Sequence, residues 1–229
     1  MKLPKRLAAV AELVPAGSVV ADIGTDHALL PLELVERGVC RRVIATDVNP
    51  GPLHAAAQAV ADSGLAGLIE LQLGDGLAPL AGGEATVIVC AGMGGKTISE
   101  ILAAAPAILE SVQRLIMQPM TESAGLRRWL CAHGWRISRE KLVREGDHLY
   151  QIIEARPGLE TEQDPFLISL GPRLVAEKDP LLPLYLEQLA QRYRTILADI
   201  RYGKRGQTRE KARYLTEKLT RIEEIRKCL

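Results

Sequence analysis

Five short apolar segments recur in the first half of the chain, and turn-forming residues follow each of them. They are Val19 to Ile23, Val43 to Thr46, Ile69 to Leu73, Val87 to Cys90 and Leu115 to Gln118. Helix-like segments separate them; the alanine-rich run from Leu53 to Val60, for example, stops at Gly64. Strands that alternate with helices predict a parallel sheet covered on both faces, with right-handed connections. The alternation therefore places the chain in the α/β class.

The pattern changes after Gly134, where two strand-like segments follow each other without a helix between them. Trp135 to Val143 and Leu149 to Ala155 are joined by a Glu-Gly-Asp sequence typical of a hairpin turn. We therefore predict a doubly wound, mostly parallel, seven-stranded Rossmann-like sheet that ends in an antiparallel hairpin. Many methyl-transferring enzymes share this architecture.

A region of different character follows the predicted sheet. Proline, glycine and acidic residues cluster from Arg156 to Pro165, which predicts one domain at residues 1–158 and another at 159–229. Apolar residues then recur three and four positions apart, at Leu182, Leu186, Leu189, Tyr193, Ile196 and Ile200 and again at Ala212, Leu215, Leu219 and Ile222. This spacing predicts two helices that fold back on each other as a coiled-coil-like hairpin, with a turn at residues 203–206.

The charge of the chain is divided unevenly between these regions. Residues 1–162 contain 15 basic and 19 acidic residues, a net charge of −4, whereas residues 163–229 contain 14 basic and 9 acidic residues, a net charge of +5. From Arg192 to Arg213 there are eight basic residues, including Lys204, Arg205 and Arg209, and two acidic ones. Such a basic stretch favours a nucleic-acid contact, and a solvated helix face is the alternative.

Several classes of protein are excluded by what the sequence lacks. It has no apolar run of the roughly 18 residues that a membrane span needs, and no apolar leader at its start. Its four cysteines are far apart and form no metal-ligand spacing. We expect a cytoplasmic protein without a metal site or a membrane partner, and a monomer, although the sequence does not specify the oligomeric state.

Aspartate and glycine residues lie where the predicted strands end. Asp22, Gly24 and Asp26 follow the first strand, Asp47 ends the second, and Asp75 follows the third. Parallel strands bring these ends to one edge of the sheet, where α/β proteins bind ligands. Asp22 alone would be an ordinary turn or capping residue, and Gly74-Asp75-Gly76 an ordinary turn, but their recurrence at successive strand ends favours a cofactor site.

The composition of the first loop distinguishes between cofactors. A nicotinamide-dependent reductase would need a G-x-G-x-x-G loop, whereas this loop has one glycine between acidic residues. Carboxylates suit a cationic ligand, because opposite charges about 4 Å apart attract by roughly 4 kcal/mol at an effective dielectric constant of 20, before desolvation. S-adenosylmethionine carries a sulfonium and an ammonium group. Asp47 is then placed to accept from a ribose diol and Asp75 from the adenine amine.

The chain contains the sequences Ala21-Asp22-Ile23-Gly24-Thr25-Asp26-His27-Ala28 with Leu30-Pro31, then Gly74-Asp75-Gly76-Leu77, Ala91-Gly92-Met93-Gly94-Gly95 and Gln118-Pro119. Together these motifs resemble one family, the bacterial tRNA adenine-N1-methyltransferases that modify position 22. The match covers about the first 155 residues in order and spacing, and the Lys5-Arg6-Leu7 start and helical tail are also similar. The resemblance implies a class I S-adenosylmethionine-dependent enzyme that acts on tRNA without a metal.

The resemblance and the strand-end argument together assign the site residues. We expect the cofactor to contact Asp22, Gly24, Thr25, Asp47, Val48, Asp75, Gly76, Ala91 and Gly92. We expect the substrate to contact His27, Met93, Gly94, Gly95, Gln118, Pro119, Lys5 and Arg6, with Lys204, Arg205 and Arg209 on the tail. Three positions differ from the family pattern: Leu29 replaces Tyr, Asp47 replaces a Glu of some members, and Met120 replaces Asn.

Asp26 is the candidate catalytic residue. Adenine N1 carries its own lone pair, so the reaction needs positioning and stabilisation of the positive charge that moves onto the base, which a carboxylate provides. The alternative role for Asp26 is the N-cap of a helix from Asp26 to Arg37. A catalytically idle or differently specific RNA-binding protein with the same fold is the alternative function.

Overall fold

The computed structural model describes residues 3–202 and 208–229. The strands are β1 (Ser18–Ile23), β2 (Cys40–Asp47), β3 (Ile69–Leu73), β4 (Val87–Met93), β5 (Arg114–Pro119), β6 (Trp135–Glu145) and β7 (His148–Pro157). The helices are α1 (Lys5–Ala11), α2 (Leu29–Glu36), α3 (Pro50–Ser63), α4 (Gly95–Ala103), α5 (Pro106–Leu109), α6 (Ser123–Ala132), α7 (Pro165–Leu170), α8 (Pro172–Ala176), α9 (Leu182–Tyr202) and α10 (Thr208–Lys227). None of these described helices has the length and apolar character to span a membrane.

The strands form a seven-stranded sheet in the order β3-β2-β1-β4-β5-β7-β6. Strands β1 to β5 pair in parallel, and β7 pairs antiparallel with both β5 and β6. The predicted mostly parallel sheet with a terminal hairpin is therefore confirmed. The chain reverses its direction of winding between β1 and β4, which is where sheets of this kind open a ligand crevice at the carboxyl ends of the strands.

Both faces of the sheet are buried under helices. Consecutive residues of β1 point to opposite faces of the sheet and join separate core clusters. Val20 packs on one face with apolar residues of α1, α2 and α3, and Ala21 packs on the other face with residues of α4 and α6. This explains why β1 and β4 read as continuous apolar runs, since a strand covered on both faces has no polar side. The doubly wound arrangement follows from that burial.

The first helix after β1 begins later than the sequence predicts. Asp26 and Ala28 adopt left-handed backbone conformations, with φ angles of 46° and 54°. The chain cannot be helical through these residues, so α2 starts at Leu29, and the N-cap position is Ala28 without a side-chain hydrogen bond. The helix-cap role considered for Asp26 is therefore wrong.

The chain divides into two compact units, Met1–Pro172 and Arg173–Leu229. In the second unit, α9 and α10 pack against each other through buried residues of the predicted apolar pattern, such as Leu186 and Ile222. Two ion pairs join the helices: Arg194 Nη2 lies 3.1 Å from Glu223 Oε1, and Arg226 Nη1 lies 2.7 Å from Glu187 Oε2. This pairing is antiparallel, as a helical hairpin requires. The turn at residues 203–206 lies outside the described residues.

A buried arginine joins four elements of the first unit. Arg127 on α6 is fully buried and donates from Nε to Glu140 Oε1 on β6 at 2.7 Å. Its Nη2 donates to Gln151 Oε1 on β7 at 2.7 Å, and its Nη1 to the Ser169 carbonyl on α7 at 3.3 Å. Removing one partner of such an ion pair leaves an uncompensated buried charge.

We predict that Arg127→Met lowers the free energy of unfolding by about 3–5 kcal/mol, because it removes one member of a buried, hydrogen-bonded ion pair. Urea unfolding monitored by circular dichroism measures the change. Arg128→Met is the matched control on the next, exposed position, and should cost less than about 1 kcal/mol. Equal losses in the two variants would contradict the importance of the buried pair.

Candidate active site

Loops at the carboxyl edge of the sheet are held together by Thr46 of β2. The backbone N–H groups of Gly24 and Thr25 both donate to the Thr46 carbonyl, at 2.8 and 2.9 Å. The buried Thr46 hydroxyl donates to the Gly76 carbonyl at 3.3 Å. The loops after β1 and β3 are thus fixed to the end of β2, and the strand-end residues predicted to share one edge are brought together.

Two glycines allow the loops at this edge to approach each other. Gly24 and Gly92 have φ angles of 76° and 84°, which L-residues rarely adopt. A Cβ atom on Gly24 would lie 3.0 Å from Met93 Cε, and one on Gly92 would lie 3.7 Å from Arg6 Nη1. A side chain at position 24 would therefore crowd Met93 at the end of β4, whereas position 92 favours glycine because of its left-handed backbone.

These loops enclose a cavity of about 190 Å³. Its lining consists of Arg6, Leu7, Asp22, Gly24, Thr25, Asp26, His27, Leu29, Leu30, Ala91 and Gly92. Most of the predicted residues of the first loop and the start of the fourth are thus collected around one space. Leu29, where the family pattern has Tyr, is part of this wall.

The carboxyl group of Asp22 lies in this cavity but is only 5% exposed as a residue. Burial, the largest cause, and the charge of Asp47 together raise the pKa of Asp22 to about 6. The nearby Thr25 hydroxyl offsets part of the increase, although Thr25 Oγ1 meets the geometry of a hydrogen bond with none of the described residues. A cationic ligand would lower the free energy of the ionised carboxylate, and a polar ligand atom would satisfy Thr25.

Asp26 and His27 project from the same loop toward solvent. The His27 Nε2 atom lies 3.6 Å from Asp26 Oδ1, and the two side chains are 58% and 70% exposed. The left-handed conformation of Asp26 is strained for a residue with a side chain, and such strain is frequent at functional sites. The cavity therefore has an accessible carboxylate beside its buried one.

Arg6 of α1 also lines the cavity and is held by residues at the end of the sheet. Its Nη1 donates to Gln118 Oε1 at 3.1 Å, and its guanidinium carbon lies 5.9 Å from the centre of the Tyr150 ring. Its Nε lies 3.9 Å from Glu145 Oε2, and the backbone N–H of Lys5 donates to Glu145 Oε1 at 2.6 Å. The hairpin thus anchors α1 so that a cation faces the cavity.

The remaining predicted cofactor residues lie beside the cavity lining. Asp47 is 8% exposed, and its Oδ1 accepts from the backbone N–H of Asn49 at 2.8 Å. Val48 is 57% exposed, Asp75 is exposed, and Gly76 is bound to Thr46. These residues mark the ends of β2 and β3, next to the end of β1, where Asp22 lies.

The predicted substrate residues after β4 and β5 are connected by backbone contacts. Met120 N donates to the Met93 carbonyl at 2.9 Å, and Gly95 N to the Thr121 carbonyl at 2.8 Å. A Cβ on Gly95 would lie 2.7 Å from the Glu122 carbonyl oxygen, so only glycine fits there, whereas Gly94 has more space. Gln118 and Pro119 are buried, and the Gln118 amide holds Arg6 and contacts Met120 Sδ at 3.4 Å.

The predicted tail residues are only partly described. Lys204 and Arg205 lie outside the described residues, whereas Arg209 is an exposed residue of α10. Within the basic stretch, Arg194 is paired with Glu187 and Glu223, and Arg213 with Glu217. The number of basic residues between positions 192 and 213 therefore exceeds the number of unpaired cations there, because glutamates outside this range form ion pairs with two of the arginines.

Sequence reasoning missed the residues that shape the site without touching its centre. Thr46, Tyr150 and Glu145 have no motif signal, because their contacts join residues far apart in the chain. Nothing in the described ranges groups three or more histidine, cysteine, aspartate or glutamate side chains in a way that could hold a metal ion.

Comparison with known proteins gives consistent matches. A family model described as a methyltransferase domain matches residues 3–153. The tRNA (adenine(22)-N(1))-methyltransferase of Bacillus subtilis (strain 168) is 33% identical over 231 residues, covering 98% of this chain and 97% of that protein. The crystal structure of the B. subtilis m1A22 tRNA methyltransferase TrmK has a TM-score of 0.89, 32% identity and 98% coverage of both chains.

A second solved structure contains a form of the cofactor. TrmK of M. capricolum, in complex with the cofactor product S-adenosyl-homocysteine, has a TM-score of 0.81 and 28% identity to this chain. The match covers 99% of this chain and 97% of that one. Both units of the chain therefore have counterparts in solved relatives.

We predict that Asp22→Asn stabilises the ligand-free protein at pH 8 by about 1–3 kcal/mol, because it removes a buried charge. Each unit by which folding raises the pKa of a carboxyl group corresponds to about 1.4 kcal/mol. The folded protein holds a proton on Asp22 up to a pH of about 6, whereas the unfolded chain loses it near pH 4. Stability attributable to this group therefore falls as the pH rises between these values.

Urea unfolding at pH 4 and pH 8 measures the effect, which should disappear at pH 4. Asp26→Asn, an exposed position in the same loop, should change stability little at either pH. A loss of stability in Asp22→Asn at pH 8 would show that the ionised carboxylate is not penalised by burial.

Proposed function

Because the chain belongs to the family of bacterial tRNA (adenine(22)-N1)-methyltransferases, we propose that it transfers a methyl group from S-adenosylmethionine to N1 of adenosine 22 in tRNA. The observation that carries this proposal is the cavity at the carboxyl edge, where the buried Asp22 adjoins the accessible Asp26. A catalytically idle RNA-binding protein is less well supported, since such a protein would have no need for a buried carboxyl group at this edge.

The residues of the cavity fit a cationic cofactor. S-adenosylmethionine supplies, when bound, an electrophilic methyl group on a positively charged sulfur. Asp22 offers a carboxylate that gains from a nearby cation, and Thr25 Oγ1 offers a buried polar atom without a partner among the described residues. Gly24 and Gly92 keep the wall free of side chains, so that backbone groups approach the ligand closely.

Asp47 and Asp75 extend the cofactor site along the strand ends. Asp47 accepts from Asn49 through one oxygen, and its second oxygen is suited to a ribose hydroxyl. The exposed Asp75, next to Gly76, is suited to the amine of the cofactor adenine. Val48 and Ala91 provide apolar contact on either side.

The chain's task at the target base is to position it and to stabilise charge. Adenine N1 needs no base to become a nucleophile, so alignment provides most of the acceleration. Asp26 stabilises the positive charge that moves onto the base, and its exposure lets it reach a base that enters from solvent. His27 and the backbone of Met93, Gly94 and Gly95 line the approach, and Gln118 orients Arg6 toward the incoming nucleotide.

The enzyme must bind the tRNA firmly through its phosphates, because N1 of a base in a folded tRNA is reached only by displacing the base. On the described part of the helical hairpin, Arg192, Arg209 and Lys211 are exposed and form no ion pair with other described residues. Lys218 Nζ also lies 4.4 Å from the centre of the exposed Tyr214 ring. These side chains provide cations and an aromatic face for RNA.

The function is tested by incubating the protein with labelled S-adenosylmethionine and unmodified tRNA, followed by nucleoside analysis. We expect N1-methyladenosine, and none from a tRNA in which A22 is replaced by G. Transfer to another atom or position, or no transfer, would overturn the proposal.

Asp26→Asn should lower kcat by about 10- to 100-fold while the affinity for S-adenosylmethionine changes by less than about twofold, because the carboxylate acts on charge that develops in the transition state. Single-turnover kinetics and cofactor titration measure the two quantities. Asp147→Asn, in the exposed turn of the hairpin, is the matched control. Equal losses of turnover and cofactor affinity would contradict the catalytic role.

Replacing Arg192, Arg209 and Lys211 together by Gln should weaken tRNA binding and reduce the slope of log K against log salt by roughly 2–3, with cofactor affinity unchanged. Fluorescence anisotropy at several KCl concentrations measures the slope. The control replaces Arg194, Arg213 and Arg226, which are paired with glutamates, and should reduce the slope less. An unchanged slope in the first variant would contradict phosphate binding by these three residues and would leave them a role in solubility only.

A further inference from the structure

Arginines from three neighbouring strands meet at the amino edge of the sheet. Arg136 of β6 lies directly opposite Arg156 of β7. Leu115 of β5 lies opposite Ala155 of β7, and the same register continued by one residue sets Arg114 beside Arg156. Directly opposed residues of antiparallel strands project to the same face, so these three residues form an arginine row. Like charges in such positions destabilise a sheet.

One buried carboxylate serves two members of the arginine row. The fully buried Glu154 accepts from Arg114 Nη1 at 3.1 Å and from Arg156 Nε at 2.9 Å. Its charge balances only one of these guanidinium groups. Burial lowers the pKa of Arg114; the Glu154 charge opposes this effect, and the charges of Arg156 and Arg139 reinforce it. An additional anion would therefore lower the free energy of the cluster.

A cavity of about 390 Å³ adjoins these two arginines. Its lining consists of Pro15, Ala16, Gly17, Ser18, Thr86, Val87, Gln113, Arg114 and Arg156. Its volume lies in the range of about 300–1,000 Å³ that is usual for small-molecule sites. Because β1, β4 and β5 begin at Ser18, Val87 and Arg114, this cavity is on the edge opposite Asp22. The six residues of β1 separate the two edges, a distance of roughly 20 Å.

We propose that this amino-edge cavity binds a phosphate-bearing ligand through Arg114 and Arg156. A guanidinium group has five N–H donors in a planar fork that matches the oxygens of a phosphate. Contacts within the described part of the chain use Nη1 of Arg114 and Nε of Arg156, so other donors of both groups are available to a ligand. The site is distinct from the methyl-transfer cavity and does not depend on the function proposed for it.

The proposal is tested by calorimetric titration of the full chain with pyrophosphate at constant ionic strength. Wild type should bind saturably, with a Kd on the order of 1 mM or tighter. Arg156→Gln should weaken binding at least about tenfold, which is about 1.4 kcal/mol, while Glu154 keeps Arg114 as a partner. Arg144→Gln, at the other end of β6, is the matched control and should bind as wild type. The affinity for S-adenosylmethionine should be unchanged in both variants.

A second variant distinguishes loss of the binding site from loss of folding. Arg156→Lys keeps the charge beside Glu154 but lacks the fork, and should bind pyrophosphate more weakly than wild type and more tightly than Arg156→Gln. Absence of saturable binding by wild type, or equal weakening by Arg144→Gln and Arg156→Gln, would overturn the proposal.

The source of the phosphate is distinguished by tRNA binding. If it is an RNA phosphodiester, Arg156→Gln should weaken tRNA binding and reduce its salt slope by about 1, and tRNA should compete with pyrophosphate. If it is a small organic phosphate, tRNA affinity should be unchanged and a nucleoside diphosphate should replace pyrophosphate. Failure of pyrophosphate to bind would overturn this site while leaving methyl transfer to tRNA intact.

Discussion

The active site depends on one carboxyl group, that of Asp22, placed at the end of a strand that is buried on both faces. Burial raises its pKa to about 6, so the ligand-free protein near neutral pH holds a carboxylate whose charge is poorly solvated. In the function that we propose, a cationic cofactor would remove this penalty on binding, so that part of the desolvation cost would become affinity and selectivity for a cation. Neutral or anionic nucleotides gain nothing comparable at this position.

The loops beside this carboxyl group turn tightly. Thr46 binds the loops that follow β1 and β3, and the left-handed residues Gly24, Asp26 and Ala28 carry the chain from β1 into α2 within a few residues. Asp22 is buried as part of the central strand β1, and the sharp turn after that strand exposes Asp26 to solvent. A buried carboxyl group and an exposed one thus lie at the end of β1 and in the loop that follows it.

The two edges of the sheet carry opposite imbalances of charge. At the carboxyl edge, Asp22 and Asp47 are buried with no ion pair to any described residue. At the amino edge, Arg114 and Arg156 share the one buried carboxylate of Glu154. Each imbalance defines the charge of the ligand that would complete it.

The sequence by itself determined the class of the fold, the hairpin that ends the sheet, the helices of the tail and the strand-end acids of the site. These features are local: apolar periodicity and turn residues specify them within a few positions. Only the tertiary structure decided that α2 begins at Leu29 and that three arginines align across β5, β7 and β6. It also decided that Arg6 lines the cavity while it donates a hydrogen bond to Gln118, 112 residues away in the sequence. Such contacts depend on strand register and on packing between distant segments, and no short stretch of sequence contains that information.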